Sequence, residues 1–262
     1  DTFERLIKDG KLGYLSLLRN LRNMEQANAD RKLVKEAIRA RKGADLVFPF
    51  RYIAAARAAG AFGDAIQDAF LAATKEMEKL SGKSVMIVDV SGSMYGQPVS
   101  AKSDMHRVTA AAALAAIARE LSEEAAVIVT GDTHAEMPTH LRGIELVDAI
   151  EHRHGRGYGG IYTKAVMEFA KKQHPDADRV IVITDEQDCG GYGNSPLDAP
   201  TYAKVNYMVN VASYRNGIGY DRWVHLDGFS EAIIKWIVAY EKTLKTNGKS
   251  KTVALAKRQI VG

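Results

Sequence analysis

The sequence predicts an α/β protein, with a mostly parallel sheet covered by helices on both faces and an all-helical segment ahead of it. Two short runs rich in β-branched apolar residues, Val85–Val90 and Val180–Thr184, suit strands that are buried on both faces. Segments with helical periodicity separate the strand-like runs, as in right-handed βαβ units. The first 80 residues show helical periodicity and no strand-like alternation.

The N-terminal segment is expected to form two or three helical hairpins. Apolar residues recur at helical spacing from Leu12 to Leu21. Breaks are expected at Asn28–Asp30 and at Phe48–Phe50, where a proline stops one helix and opens the next. Asp64 is expected to cap a further helix that continues toward Leu80.

The remaining elements follow in an alternating order. The order is a strand over 84–90, a helix over 104–121, strands over 126–130 and 134–137, helices over 144–151 and 163–172, strands over 180–184, 207–212 and 223–226, and a helix over 233–240. In open parallel sheets of this kind, ligands bind beyond the carboxyl ends of the strands. Functional residues are therefore expected at those ends.

Composition excludes several classes of protein. The chain has 46% hydrophobic and 26% charged residues, which is ordinary for a soluble globular protein. No apolar run approaches the roughly 20 residues that span a bilayer, so no membrane insertion is expected. One cysteine, Cys189, gives no disulfide framework, and no secretory pattern opens the chain. A reducing, cytoplasmic setting is the expectation.

Positive charge is concentrated at the two ends of the chain. The formal net charge is +4, yet residues 1–51 alone carry 12 Lys and Arg against 7 Asp and Glu. From Lys242 to Gly262 there are six basic residues and no acidic one. Such ends attract polyanions, but short basic tails are also common as solubilising extensions.

One constellation of residues carries recognisable chemistry. The first strand runs directly into Asp89, Ser91 and Ser93, which alternate and so point the same way around Gly92. A second apolar strand ends in Asp185. Hard oxygen ligands of this kind suit Mg²⁺ or Mn²⁺. The competing interpretation is local, because Asp and Ser also favour turns and helix N-caps.

The motif Asp89–Met94 resembles the metal-ion-dependent adhesion site of von Willebrand A domains, and the resemblance covers about residues 81 to 243. It implies a further threonine ligand in a glycine-led loop, which the stretch Gly159–Thr163 offers. In the family the threonine usually follows the two glycines at once, where Ile161 stands here. Either the loop is shifted and Thr163 serves as the ligand, or the threonine ligand is missing. We favour Thr163 as the ligand. The resemblance implies capture of an acidic group from a partner rather than turnover.

The helical segment resembles the TROVE module of Ro autoantigen proteins. The stretches Gly13–Met24 and Pro49–Tyr52, with the alanines that follow, carry this resemblance. Ro proteins join a ring of helical repeats to a von Willebrand A domain and bind small noncoding and misfolded RNA. Residues 1–80 are too few for a whole ring, so threading of RNA through a ring is not implied. The predicted organisation is a TROVE-like end at 1–80, an A domain at 81–243 and a basic tail at 244–262.

Three arginines, Arg19, Arg22 and Arg51, are the candidate RNA-binding residues, and Tyr14 is a candidate for stacking on a base. The alternative is the solvated basic face of an amphipathic helix. The run His152–Arg156 invites a metal or RNA interpretation, but a solvated connection before the glycine loop explains it adequately.

Enzymatic interpretations find little support in the sequence. Cys189 lacks an evident base that would make it a nucleophile. Two Gly-Lys-Ser triplets, at 82–84 and 248–250, lack the earlier glycine of a phosphate-binding loop. A phosphatase nucleophile at Asp89 would require a carboxylate where Ser91 stands. No catalytic residue is predicted.

The predicted function is that of a non-enzymatic, Ro-like RNA-binding protein with a metal-dependent A domain. Its expected partners are a small noncoding RNA and an acidic group of a protein at the metal site, with neither membrane nor DNA. The alternative is a metal-dependent protein-interaction or assembly component that does not bind RNA.

Overall fold

The computed structural model describes residues 2–100, 105–153, 159–188, 200–212 and 222–246. The helices in these ranges are α1 (Thr2–Lys8), α2 (Tyr14–Gln26), α3 (Arg31–Ala40), α4 (Pro49–Ala58), α5 (Gly63–Lys75), α6 (Arg107–Leu121), α7 (Gly143–Glu151), α8 (Thr163–Gln173) and α9 (Ala232–Thr246). The strands are β1 (Leu80–Asp89), β2 (Ser122–Thr130), β3 (His134–Glu136), β4 (Arg179–Thr184), β5 (Val205–Asn210) and β6 (Val224–Asp227). The predicted fold class, a mostly parallel α/β sheet preceded by helices, is confirmed.

The described residues divide into two compact units. One contains the residues up to Met77 together with Gly143–Glu145, and the other contains Glu78–Arg142 and the residues from Leu146 onward. We call them the helical unit and the sheet unit. No helix within the described residues has the length and apolar character needed to cross a bilayer.

The helical unit contains α1 to α5, and local sequence features mark where two of these helices begin. The Asp30 side chain accepts hydrogen bonds from the backbone N–H groups of Lys32 and Leu33, so it caps α3 as the predicted break required. Pro49 opens α4 at its first turn.

Two details predicted for the last helix of this unit are wrong. Asp64 lies inside the first turn of α5 and does not cap it. Its carboxylate pairs with Lys35 and Arg39 on α3. The helix ends at Lys75, because Leu80 already begins β1.

The sheet unit is built on one six-stranded sheet with the order β3-β2-β1-β4-β5-β6. All neighbouring strands are parallel except β2 and β3. From β1 the chain crosses to β2 on one side, and β4 returns on the other side. The carboxyl end of β1 therefore lies at the point where the strand order reverses, which is where such sheets bind ligands.

Helices cover both faces of this sheet. Val85 and Ile87 of β1 belong to a buried cluster with Val166 and Met167 of α8. The alternate side chains of β1 point to the opposite face. There α6 packs, buried along its length except at Arg119 because its many alanines allow close approach to the strands.

Several predicted elements differ in length from those observed. Strand β2 begins at Ser122, immediately after α6, and α9 continues to Thr246. The rest of the predicted basic tail, Cys189 and the second half of the His152–Arg156 run lie outside the described residues.

Candidate metal site and basic surface

The carboxyl end of β1 delivers Asp89 to the site with both of its oxygens engaged. The side chain is fully buried. Its Oδ1 accepts a hydrogen bond of 2.8 Å from the backbone N–H of Ser91, and its Oδ2 accepts one of 2.6 Å from the hydroxyl of Thr184 on β4. These bonds fix the orientation of the carboxylate, while each oxygen keeps a second lone pair.

Ser91 and Ser93 lie on the turn that follows Asp89. Ser91 is buried and Ser93 is half-buried, and their Oγ atoms are 3.4 Å apart. The N–H of Gly92 donates to the carbonyl of Gly159 over 3.3 Å, so the glycine-led loop lies against the motif. The structure thus brings the predicted serines together with one another and with that loop.

Thr163 is the first residue of α8, and its hydroxyl is unusual. The residue is 1% exposed, and its backbone N–H donates to the carboxylate of Asp188 over 3.1 Å. Its Oγ1 is buried and has no hydrogen-bond partner among the described residues. Ile161, which stands at the family's usual threonine position, is fully buried. A buried hydroxyl oxygen without a partner is costly unless something binds it.

Asp185 lies directly after β4 and is fully buried. Its Oδ2 accepts a hydrogen bond of 2.8 Å from a terminal nitrogen of Arg107, and its Oδ1 accepts one of 3.3 Å from the backbone N–H of Gln187. The contact of Arg107 with Asp185 was not predicted from the sequence. The available signal was an arginine at the start of a helix otherwise made mostly of alanine and other apolar residues.

The electrostatics of the site disfavour a second negative charge. Burial and, to a smaller extent, the negative charge of Asp185 raise the pKa of Asp89 to about 6, although hydrogen bonds from Ser91 and Thr184 favour the ionised form. A cation placed between the two carboxylates would instead lower the pKa of Asp89, because its positive charge would stabilise the ionised form.

The residues present fit a hard divalent cation. Among the described residues, no group of three or more His, Cys, Asp or Glu side chains is placed to hold a metal. A cation here would therefore need hydroxyl oxygens as well as carboxylates. Ser91, Ser93 and the partnerless oxygen of Thr163 supply such donors, and oxygen donors of this kind suit Mg²⁺ better than softer metals.

A third buried carboxylate, beside Asp89 and Asp185, was not expected from the sequence. Glu186 is 1% exposed and has a left-handed backbone, with φ of 63°. Its carboxylate pairs with the Nε2 atom of His225 on β6. The burial of Glu186 has no sequence signal, because the residue lies in a loop next to the more obvious Asp185.

The three arginines proposed for RNA binding lie on the helical unit, on α2 and α4. Arg19, Arg22 and Arg51 are all exposed, and none of them pairs with a carboxylate among the described residues. By contrast, Arg39 and Arg41 are held by acidic side chains of α5 and the residue after it. Arg19, Arg22 and Arg51 are therefore available to an external anion.

Tyr14 is not available to stack on a base. It is 4% exposed, and its hydroxyl donates a 2.7 Å hydrogen bond to the carbonyl of Ile38. Its ring lies 6.1 Å from that of Tyr52. The prediction of a stacking role for Tyr14 is wrong, and its role is to join α2, α3 and α4.

Comparison with solved structures shows which known fold this chain shares. The chain is similar to the Ro (RSR) protein of Deinococcus radiodurans, with a TM-score of 0.63 and 18% sequence identity over 88% of this chain and 53% of that one. The fold is Ro-like. The chain spans about half the length of that Ro protein, 53%.

Two more distant similarities concern bacterial proteins of the genus Bacteroides. The protein BatB of Bacteroides thetaiotaomicron has a TM-score of 0.40 and 13% identity, over 63% of this chain and 98% of that one. An aerotolerance-related membrane protein of Bacteroides fragilis has a TM-score of 0.35 and 13% identity, over 53% and 77%. No family model and no curated protein match the sequence.

Proposed function

We propose that this chain is a Ro-like RNA-binding protein whose sheet unit binds a divalent cation, Mg²⁺ or Mn²⁺, and uses it to hold an acidic group of a ligand. The cation would be held by Asp89, Ser91, Ser93, Thr163 and Asp185, directly or through water. The chain would bind and not turn over its ligands.

The observation that carries the metal part is the Thr163 hydroxyl. It is buried next to a loop that contacts Gly92, and no described group satisfies its oxygen. Metal coordination would satisfy it. The bound ion would supply positive charge at the carboxyl end of β1, and Ser91, Ser93 and Thr163 would orient it while adding no negative charge.

The RNA part is supported by Arg19, Arg22 and Arg51, which are exposed and without acidic partners in the described part of the chain. The resemblance of Gly13–Met24 to the TROVE module points the same way. Phosphate contacts of this kind weaken with rising salt because binding releases counterions.

Calorimetric titration with Mg²⁺ tests the metal site, with Thr163→Val as the decisive variant. Valine keeps the shape and the backbone hydrogen bond but removes the hydroxyl. Mutation of residues that only hydrogen-bond to metal ligands typically lowers metal affinity about 10- to 100-fold. Loss of a ligand oxygen is therefore expected to lower the Mg²⁺ affinity about tenfold or more. The metal-free variant is expected to be as stable as the wild type, because the lost oxygen has no partner there.

The matched control is Thr74→Val, which removes another buried threonine hydroxyl, in α5 of the helical unit. It should leave Mg²⁺ affinity unchanged. Failure of the wild type to bind Mg²⁺ or Mn²⁺, or equal affinity in Thr163→Val, would contradict the metal proposal. Metal binding by a protein that does not bind small RNA at low salt would favour the alternative, an acidic protein partner at the same site.

A further inference from the structure

Arg107 occupies a position that should disfavour it. It is 5% exposed, and it is the first residue of α6. The amino end of a helix carries partial positive charge, so a guanidinium there is repelled unless an anion offsets it. Arginine is seldom buried without a paired charge.

The offsetting anion is the metal-site carboxylate Asp185. The pair lies 2.8 Å apart, with the Asp185 side chain 0% exposed. The neighbouring carboxylate, Glu186, pairs instead with His225. Arg107 therefore directs its charge at a predicted ligand of the cation.

Arg107 adds positive charge beside the carboxylates that would hold the cation. The formal charges of Asp89, Asp185 and Arg107 sum to −1, and a divalent ion changes the sum for these groups to +1. Without Arg107 the ion would only neutralise Asp89 and Asp185, and the loaded site would attract an anionic ligand less. The Asp188 carboxylate, which accepts a hydrogen bond from the Thr163 N–H, adds one further negative charge nearby and makes the charge of Arg107 more important.

We propose that Arg107 is the positioning residue that sets the cation affinity of this site: it competes with the divalent ion for Asp185 and makes the loaded site more positive than the carboxylates and the ion alone would, an inference that rests on the proposed metal function. This charge balance predicts that the ion binds weakly by itself. It predicts tighter binding when an anionic oxygen of a ligand binds together with the ion.

The test compares Arg107→Gln with Arg107→Lys by Mg²⁺ calorimetry on the full chain. Glutamine removes the charge, and a single nearby charge changes the stability of an ionised group by about 10-fold or more. The Mg²⁺ affinity of Arg107→Gln is expected to rise about tenfold, whereas lysine keeps the charge and stays near wild type. Arg119→Gln, which removes a charge in the last turn of the same helix, should change nothing.

A double-mutant cycle separates this role from a purely structural one. If Arg107 acts through Asp185, then Arg107→Gln should raise Mg²⁺ affinity in the wild type but not in the Asp185→Asn background. Thermal melting without metal gives an independent readout, because Arg107→Gln should melt lower than wild type and gain more from added Mg²⁺.

The outcomes distinguish this inference from the proposed function. Equal Mg²⁺ affinity of wild type and Arg107→Gln would overturn the role of Arg107 and leave the metal site standing. Wild-type binding that becomes about tenfold tighter in Arg107→Gln would support the competition. Absence of binding in every variant would overturn both.

Discussion

At the scale of single residues, the buried carboxylates Asp185 and Glu186 beside the candidate site each pair with a basic side chain, Arg107 and His225 respectively. Asp89 and Asp185 were predictable because each follows a strongly apolar strand. Arg107 and Glu186 were not, because their burial depends on tertiary packing. The mostly apolar helix that Arg107 begins is only a weak sign of its burial, and Glu186 in its loop has no such sign.

The same applies to Arg179, a fully buried arginine at the opposite end of the sheet. Its guanidinium forms a two-bond pair with Glu241 of α9, at 2.8 and 2.7 Å, and donates to the hydroxyl of Ser84. Tyr207 donates to the same Glu241 carboxylate over 3.0 Å. This network stabilises the contact of α9 with β1, β4 and β5.

Glu241→Ala is therefore expected to be strongly destabilising. Removing one partner of a buried pair leaves an uncompensated charge, at a cost of about 3–5 kcal/mol in the free energy of unfolding. Urea denaturation followed by circular dichroism measures the difference. Glu78→Ala removes the exposed carboxylate that pairs with Lys242, the next residue of α9, and should cost under about 1 kcal/mol. Equal losses in the two variants would contradict a special role for the buried network.

At the scale of elements, the sequence predicted order and type better than boundaries. The apolar strands β1 and β4 and the alanine-rich α6 were found because their patterns are long and uniform. The direct passage from α6 into β2 was not predictable, since Ser122 and the two glutamates after it carry no strand pattern. The polar start of β2 pairs with β1, so the neighbouring strand decides its conformation.

Ion pairs between α3 and α5 show how charges join two elements on a surface. Asp64 pairs with Lys35 over 2.7 Å and with Arg39 over 2.9 Å. The bond from Lys35 and then that from Arg39 lower the pKa of Asp64 to about 2, against an opposing effect of burial. A carboxylate with a lowered pKa in the folded state stabilises the fold above its ordinary pKa and loses this effect as the pH falls through the folded value.

Asp64→Asn should accordingly reduce stability most at pH values above about 4, the ordinary range of the group. Asp64 is more than half exposed, so screening by water limits the loss to under about 1 kcal/mol. Urea denaturation of wild type and variant at pH 7, 4 and 2 should show a difference that is largest at pH 7 and shrinks toward pH 2. A difference that grows as the pH falls would contradict the assignment.

At the scale of the whole molecule, the two proposed activities belong to different units. The candidate cation ligands all lie in the sheet unit, and Arg19, Arg22 and Arg51 lie in the helical unit. The division of the chain at residues 80 and 243 remains a prediction. The fold class followed from the alternation of strands and helices, whereas the assignment of each activity to a unit needed the ion pairs and the burial of individual side chains.

This separation predicts that RNA affinity depends on the helical unit and not on the cation. Arg19→Gln with Arg22→Gln should weaken binding of a small RNA and lower the slope of log affinity against log salt by about 1 for each phosphate that the protein no longer binds. Lys35→Gln with Arg39→Gln removes the same number of charges from side chains already paired with Asp64 and Asp68, and should reduce the slope less.

Filter binding over a range of salt concentrations measures both slopes. Replacing Mg²⁺ by EDTA at matched ionic strength should leave the wild-type RNA affinity within about twofold, because released counterions and not the site cation govern phosphate binding. Equal slopes for the two double variants would show that net charge alone attracts RNA, and loss of binding in EDTA would place the RNA at the metal site.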